Sequence, residues 1–189
     1  MSVVDNLKGA SLFSKLALLF LTIALLFVYI AFTCTGWIEN DAGQHWGLWR
    51  ACSESNWVVG CVELDGTAND WWAATQALAI FGFVGINVAF FLLILYMFVG
   101  KCQKNGEVAM ATAIICIVTG VLFLIGVIVF GAEYDEYYKD LGKTPNNKNN
   151  NDHSLSYSYG LAIVAVILEI LSGVLLILDG KKGGGTSPA

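Results

Sequence analysis

Charge is scarce in this chain: Asp, Glu, Lys and Arg make up 13% of its 189 residues, about half the ~25% of a soluble domain. With 57% hydrophobic residues and a mean hydropathy of +0.67, water is the wrong solvent for most of the sequence, and too little chain lies outside lipid to build a sizeable soluble core. Proline is nearly absent, and Pro145 and Pro188 both fall outside the apolar runs, which argues against the broken helices of transporters. No internal repeat relates the two halves. No basic run offers a nucleic-acid surface. His45 and His153 are isolated, and no second His or Cys stands at ligand spacing to either, so neither a metal nor another cofactor is expected. There is no nucleophile with a partner base and no Gly-rich phosphate loop, which excludes the enzyme classes that leave such marks. No Asn-x-Ser/Thr sequon occurs, and five cysteines are too few for a disulfide-dense scaffold, their odd number leaving at least one thiol outside any intrachain pair.

What is abundant is long apolar sequence. Residues 12–32, 73–99, 108–130 and 159–178 are each dominated by Leu, Ile, Val, Ala and Phe and long enough to cross a ~30 Å hydrocarbon core as a helix. The first run exceeds the ~7–15 apolar residues of a signal peptide and lacks a cleavage pattern, so it reads as a retained span. Lys8 and Lys15 flank this span, Lys101 and Lys104 follow the second, and Lys181 and Lys182 follow the fourth. The excess of positive charge on one side predicts cytoplasmic termini and two exoplasmic loops, residues 33–72 and 131–158. The cytoplasmic segments are too short for a signalling or catalytic domain. The expected fold is a transmembrane four-helix bundle in a single four-span domain covering residues 1–189.

The first outer loop and its borders hold all six tryptophans, Trp37, Trp46, Trp49, Trp57, Trp71 and Trp72. Trp71 and Trp72 begin the second span and read as interfacial anchors. The others surround Cys52 and Cys61, two cysteines expected to oxidise in an exoplasmic loop. Alternation from Trp46 through Leu48 and Arg50 to Cys52, and again through Trp57, Val59 and Cys61, predicts two strands joined over residues 53–56 and cross-linked by the disulfide.

Trp37, then Gly47-Leu48-Trp49, then Cys52 and Cys61, in the first outer loop of a four-span chain, resembles the signature of the claudin superfamily, with its peripheral myelin protein, epithelial membrane protein, lens fibre membrane protein and calcium-channel gamma-subunit relatives. Within that superfamily the chain most resembles an invertebrate-type claudin. The likeness implies a left-handed antiparallel bundle carrying a small extracellular antiparallel sheet, with one strand added from the second outer loop. Gln76 stands where vertebrate claudins typically carry Arg, a feature similar to the myelin and epithelial branch, as is the Ser156-Tyr157-Ser158-Tyr159-Gly160 entry to the fourth span. The missing sequon departs from that branch, and the end at Ala189 does not resemble the claudin PDZ-binding terminus.

The first loop is acidic apart from Arg50. Glu63 resembles the pore-lining charge of claudin-like proteins, and Asp65 follows on the same side by alternation; a ring of such carboxylates favours cations. Tyr134, Tyr137 and Tyr138 lie at spacings that continue the third helix above the membrane as an aromatic stripe and candidate adhesion surface. Thr22, Asn87, Thr119 and Glu169 fall near the middle of one span each, suggesting a polar layer in which Glu169 faces the bundle and bonds Asn87. Cys102, beside Lys101 at a cytoplasmic helix end, is a candidate palmitoylation site. The combined expectation is a plasma-membrane junction protein that forms or organises a cation-favouring paracellular barrier. Its partners would be membrane lipid, copies of itself in cis and in trans, and other claudin-like proteins. The alternatives are an adhesive membrane organiser of the epithelial membrane protein type and an auxiliary, gamma-like channel subunit.

Overall fold

A computed structural model describes residues 3–55, 58–64, 69–100, 102–103, 105–142 and 153–183. A short helix α1 (Val3–Gly9) precedes α2 (Leu12–Thr33); strands β1 (Ile38–Asn40), β2 (Gln44–Trp46), β3 (Arg50–Ser55) and β4 (Val58–Glu63) follow, then α3 (Asp70–Phe98), α4 (Gly106–Gly142), β5 (His153–Leu155) and α5 (Tyr157–Gly183). Among the described residues four helices are long and apolar enough to cross a membrane, over Leu12–Thr33, Asp70–Phe98, Gly106–Tyr134 and Tyr157–Lys181. The second begins three residues before the span read from hydropathy, because Asp70 and the two tryptophans enter the first turn of the helix. Helix α4 continues well past its apolar part to Gly142.

Each helix turns small residues inward. In α2 the buried positions are Ser14, Ala17, Leu21, Ala24, Val28 and Ala31, alternating three- and four-residue steps whose mean of about 3.5 is the period of left-handed packing. Ser11 caps this helix, its hydroxyl accepting from the Ser14 amide at 3.1 Å, as N-cap serines do. In α3, Gly85 lies where a Cβ would collide with the Thr119 side chain, so glycine lets α3 and α4 come together. The helices pack in the order α3, α4, α5, α2. The ring closes between α2 and α3 through Tyr29, Phe32 and Phe83, with Phe32 stacked on Phe83 at 4.5 Å. The opposite faces present large apolar side chains outward, including Leu19, Leu26, Phe81, Phe91, Ile128 and Ile167, as lipid-facing surfaces should.

The five strands form one antiparallel sheet in the order β4-β3-β2-β1-β5. The strand from the second outer loop pairs with β1, as the family resemblance implies. The expectation of one continuous strand from Trp46 to Cys52 needs correction. Gly47-Leu48-Trp49 separates β2 from β3, and the Gly47 amide donates to the Arg50 carbonyl at 2.8 Å. The alternation was present, but Leu48 leaves the sheet to enter the core, where it is fully buried. The β1–β2 turn is built on Asn40, whose side-chain oxygen accepts from the amides of Ala42 and Gln44. Gly43 supplies the positive φ of 74° that this turn requires.

Candidate functional site

The signature residues form the joint between sheet and bundle. Trp37 is fully buried; its indole donates to the Ala31 carbonyl at 2.6 Å, and its ring meets Phe130 and Tyr159 edge-on at 4.7 and 5.9 Å. Its backbone bonds both β2, through the Trp46 carbonyl, and the start of α5, through the Ser156 amide. One residue, through backbone and side chain together, thus fixes the exit of α2, the first strand and the entry of α5. At Gly47 a Cβ would stand 2.5 Å from the Cys34 carbonyl oxygen, so only glycine permits this approach of sheet to helix. Phe32 packs against Trp49 at 5.1 Å.

Helix α3 grips the same joint from the other side. The Leu48 carbonyl accepts from Trp72 Nε1 at 3.0 Å and from Gln76 Nε2 at 2.7 Å, and Gln76 Nε2 also reaches the Leu64 carbonyl at 3.0 Å. Trp72 is therefore no lipid-level anchor: it is 7% exposed and spends its only donor on the sheet. Trp71, half-buried, packs on Trp72 and Phe130, so the expectation of two interfacial anchors is corrected for Trp72, which joins an aromatic cluster.

Cys52 and Cys61 are joined, with Cα atoms 4.1 Å apart and a sequence separation of 9. They are register partners, and so close a pair belongs to the non-hydrogen-bonded class, whose side chains lie nearest each other. Antiparallel partners share a face, so Ser154, Glu39, His45, Cys52 and Cys61 form one row across the sheet. Arg50 and Glu63, partners two residues further along, project from the same face. The opposite face carries Ile38, Trp46, Ala51, Val62 and Leu155, and buried Ile38 turns it toward the bundle. Every described charged side chain on the strands thus occupies the face turned away from the bundle. Arg50, Cys61 and Glu63 are exposed there. Glu39 is half-buried, its Oε2 accepting from the Ser156 hydroxyl at 2.8 Å. Glu63 ends β4, the edge strand. Asp65 and Trp57 lie outside the described residues, as do Pro145 and the Asn-rich run 146–151.

Other expected sites are rearranged. Tyr134 is 8% exposed, so it faces inward and is withdrawn from the candidate adhesion stripe. Tyr137 and Tyr138 continue α4, but their side chains lie outside the described ones. The mid-membrane polar residues do not make one layer. Glu169, fully buried, accepts from the Thr119 hydroxyl at 2.8 Å, not from Asn87. Asn87 instead accepts from the Tyr29 hydroxyl at 2.9 Å across the α2–α3 seam and donates to its own helix at the Phe83 carbonyl. Thr22 bonds only back to the Leu18 carbonyl at 2.6 Å. Equal depth is not proximity when the helices turn these positions toward different neighbours.

One cluster was not anticipated. Asp179, 5% exposed, accepts from the Tyr96 hydroxyl at 2.7 Å and from the Ser11 hydroxyl, joining α5, α3 and the cap of α2 at the end of the bundle opposite the sheet. Asp179 lies one residue beyond the span read from hydropathy, where an acid is expected to be solvated. An N-cap serine and an intramembrane tyrosine were the available signals. Cys102 sits half-buried in the α3–α4 turn, its amide donating to the Val99 carbonyl at 2.8 Å, while Cys34 is half-buried and Cys116 buried. Among the described residues no three His, Cys, Asp or Glu side chains gather as metal ligands.

The site is thus a stapled, tryptophan-seated sheet at one end of a lipid-facing bundle, with its charges on the outward face. The model of the PMP-22/EMP/MP20/Claudin family matches residues 8–176, and the chain belongs to this family of multi-pass, non-enzymatic membrane proteins.

Proposed function

We propose that this protein is a claudin-like cell–cell junction component, whose outward sheet face lines a paracellular path that favours cations. The observation that carries the reading is the segregation of Glu39, His45, Arg50 and Glu63 onto the single face turned away from the bundle. A face that only needed solvation would not require a disulfide across it and a double hydrogen bond to α3 behind it. A face that must present charge to passing ions at fixed positions does, because field strength at an ion depends on where each carboxylate is held. Both termini lie in the cytoplasm and the sheet lies outside the cell, in keeping with the lysines that flank the helix ends. Copies associate side by side in one membrane and across the intercellular gap, and lipid covers the remaining helix faces. Cys102, in the turn between α3 and α4, is placed for acylation on the cytoplasmic side.

Expression in cells that lack junctions tests this reading. The expected result is intramembrane strands by freeze-fracture together with a raised sodium-over-chloride permeability of the monolayer. Cell aggregation without strands or a changed permeability would replace it with an adhesive organiser. Co-purification with a pore-forming subunit, again without strands, would replace it with an auxiliary channel role.

A further inference from the structure

We propose that the α2–α3 seam, around Asn87 and Tyr29, is the face on which a second copy of this chain docks inside the membrane. The inference deepens the side-by-side association in the reading above, on which it rests, by naming the contact surface. Tyr29 is exposed, and its hydroxyl donates to Asn87 Oδ1 at 2.9 Å on the outer surface of the bundle. Asn87 lies about 16 Å along the helix from the end of α3 at Phe98, roughly halfway through a ~30 Å hydrocarbon core. Two polar side chains thus face lipid at a depth where water cannot satisfy them.

The bonding capacity of Asn87 identifies what covers them. A carboxamide has two N–H donors and an oxygen with two lone pairs. Asn87 Nδ2 donates to the Phe83 carbonyl at 2.7 Å and Oδ1 accepts from Tyr29, so among the described residues one donor and one acceptor position are left. Thr22 and Thr33 of α2 spend their hydroxyl donors on their own helix. A donor and an acceptor left on one group are self-complementary, and leaving them unmet in lipid is costly. Copies in one membrane share one orientation, so the two-fold axis relating a pair runs along the membrane normal. Each residue then meets its own counterpart at its own depth. Asn87 thereby finds an amide that donates where it accepts, whereas an unrelated helix would need a polar group at the same level by coincidence.

The flanking surface fits the same occupant. Ile80, Val84, Asn87 and Phe91 follow one another at steps of four, three and four along one side of α3, the spacing of left-handed helix pairs. Ile80, Val84 and Phe91 are exposed, and Leu26, Tyr29 and Ile30 of α2 extend the exposed surface across the seam.

The test uses the full chain in cell membranes. V84C and F91C are oxidised there with copper phenanthroline, and cross-linked dimer is measured above the background that Cys34, Cys102 and Cys116 give in wild type. The α3 variants are expected to cross-link copy to copy, and L171C, at an exposed position of α5, is not. Energy transfer between donor- and acceptor-labelled copies then reports association. N87L is expected to weaken it about three- to tenfold, the range a pair of interhelical hydrogen bonds supports, and Y29F to leave it within about twofold. Y29F removes the same bond within the chain but spares the Asn87 pair, so equal losses in the two variants overturn the proposal. Cross-linking at L171C in place of α3 also overturns it by moving the contact to another face, as does capture of a different membrane protein by the α3 cysteines without a copy-to-copy product. Cross-linked α3 without freeze-fracture strands leaves this interface standing and removes the junction reading; strands without α3 cross-links do the reverse.

Discussion

Gln76 of α3 donates its side-chain amide to the carbonyl of Leu48 at 2.7 Å, although 28 residues separate them. This bond, shared with Trp72 at 3.0 Å, attaches the sheet to a transmembrane helix. The carbonyl it satisfies belongs to the middle residue of the Gly47-Leu48-Trp49 signature, which gives that tripeptide a physical role: Gly47 allows contact with the Cys34 backbone, Leu48 is fully buried, and Trp49 packs on Phe32.

Replacing Gln76 with Leu removes the donor to the Leu48 carbonyl, which keeps Trp72, and to the part-buried Leu64 carbonyl, a loss of about 0.5–1.5 kcal/mol per bond. The Gln76→Leu protein should melt earlier in detergent, and Gln76→Arg, which keeps several donors at similar reach, should recover most of the loss. An unchanged melting curve for the Leu variant would remove the joint from the account.

The disulfide closes a loop of nine-residue separation, and such a cross-link stabilises a domain by about 2–3 kcal/mol. Cys52→Ser and Cys61→Ser should each reduce surface delivery, and the double variant should be no worse than either single one, because one bond is lost in all three. Additive losses measured by surface biotinylation would show that the cysteines act separately.

Glu169 is fully buried against the Thr119 hydroxyl at mid-span. Glu169→Gln keeps an acceptor for that hydroxyl and should fold and traffic nearly as wild type. Glu169→Lys places a cation where about 2.5–3.5 kcal/mol opposes it on insertion scales and should be retained inside the cell. Thr119→Val should cost only about 0.6 kcal/mol, the mean for interhelical hydrogen bonds in a membrane protein. Normal surface delivery of the Lys variant would contradict the buried placement.

At the other end of the bundle, Asp179 holds Tyr96 and Ser11 together. Asp179→Ala strands the buried Tyr96 hydroxyl, while Ser11 keeps Ser14 as a partner at 3.0 Å. The variant should destabilise the fold by about 1–3 kcal/mol, whereas Tyr96→Phe, which removes only one donor, should cost less. Equal melting temperatures for Asp179→Ala and wild type in detergent would show that the cluster does not fasten the helices.

Much of the architecture was legible in the sequence because the bilayer imposes it. An apolar run that must cross lipid has to satisfy its own backbone, so four such runs mean four helices, and the paired cysteines with their tryptophans marked the stapled loop. Which way each helix faces was harder to read. Asn87 and Glu169 share a depth, but they turn toward Tyr29 and Thr119 and never meet, since rotation about a helix axis follows from packing against neighbours and not from hydropathy. Tyr134 belonged to a correctly foreseen helical extension but lies on its inner side. The break at Gly47-Leu48-Trp49 was hidden because alternation continues through it, and only the three-dimensional seat of Leu48 shows that this residue has left the sheet. Asp179 was passed over because an acid just beyond an apolar run reads as solvated until Tyr96 and Ser11 are brought to it.

The most direct test of the account is peptide mapping under non-reducing conditions of chain isolated by biotinylation of intact cells, with free thiols alkylated first. It should yield the Cys52 and Cys61 peptides as one linked species and the Cys116 peptide unlinked. Recovery of alkylated Cys52 and Cys61 from the surface-delivered protein would contradict it, because the outward charged face would then have no fixed register.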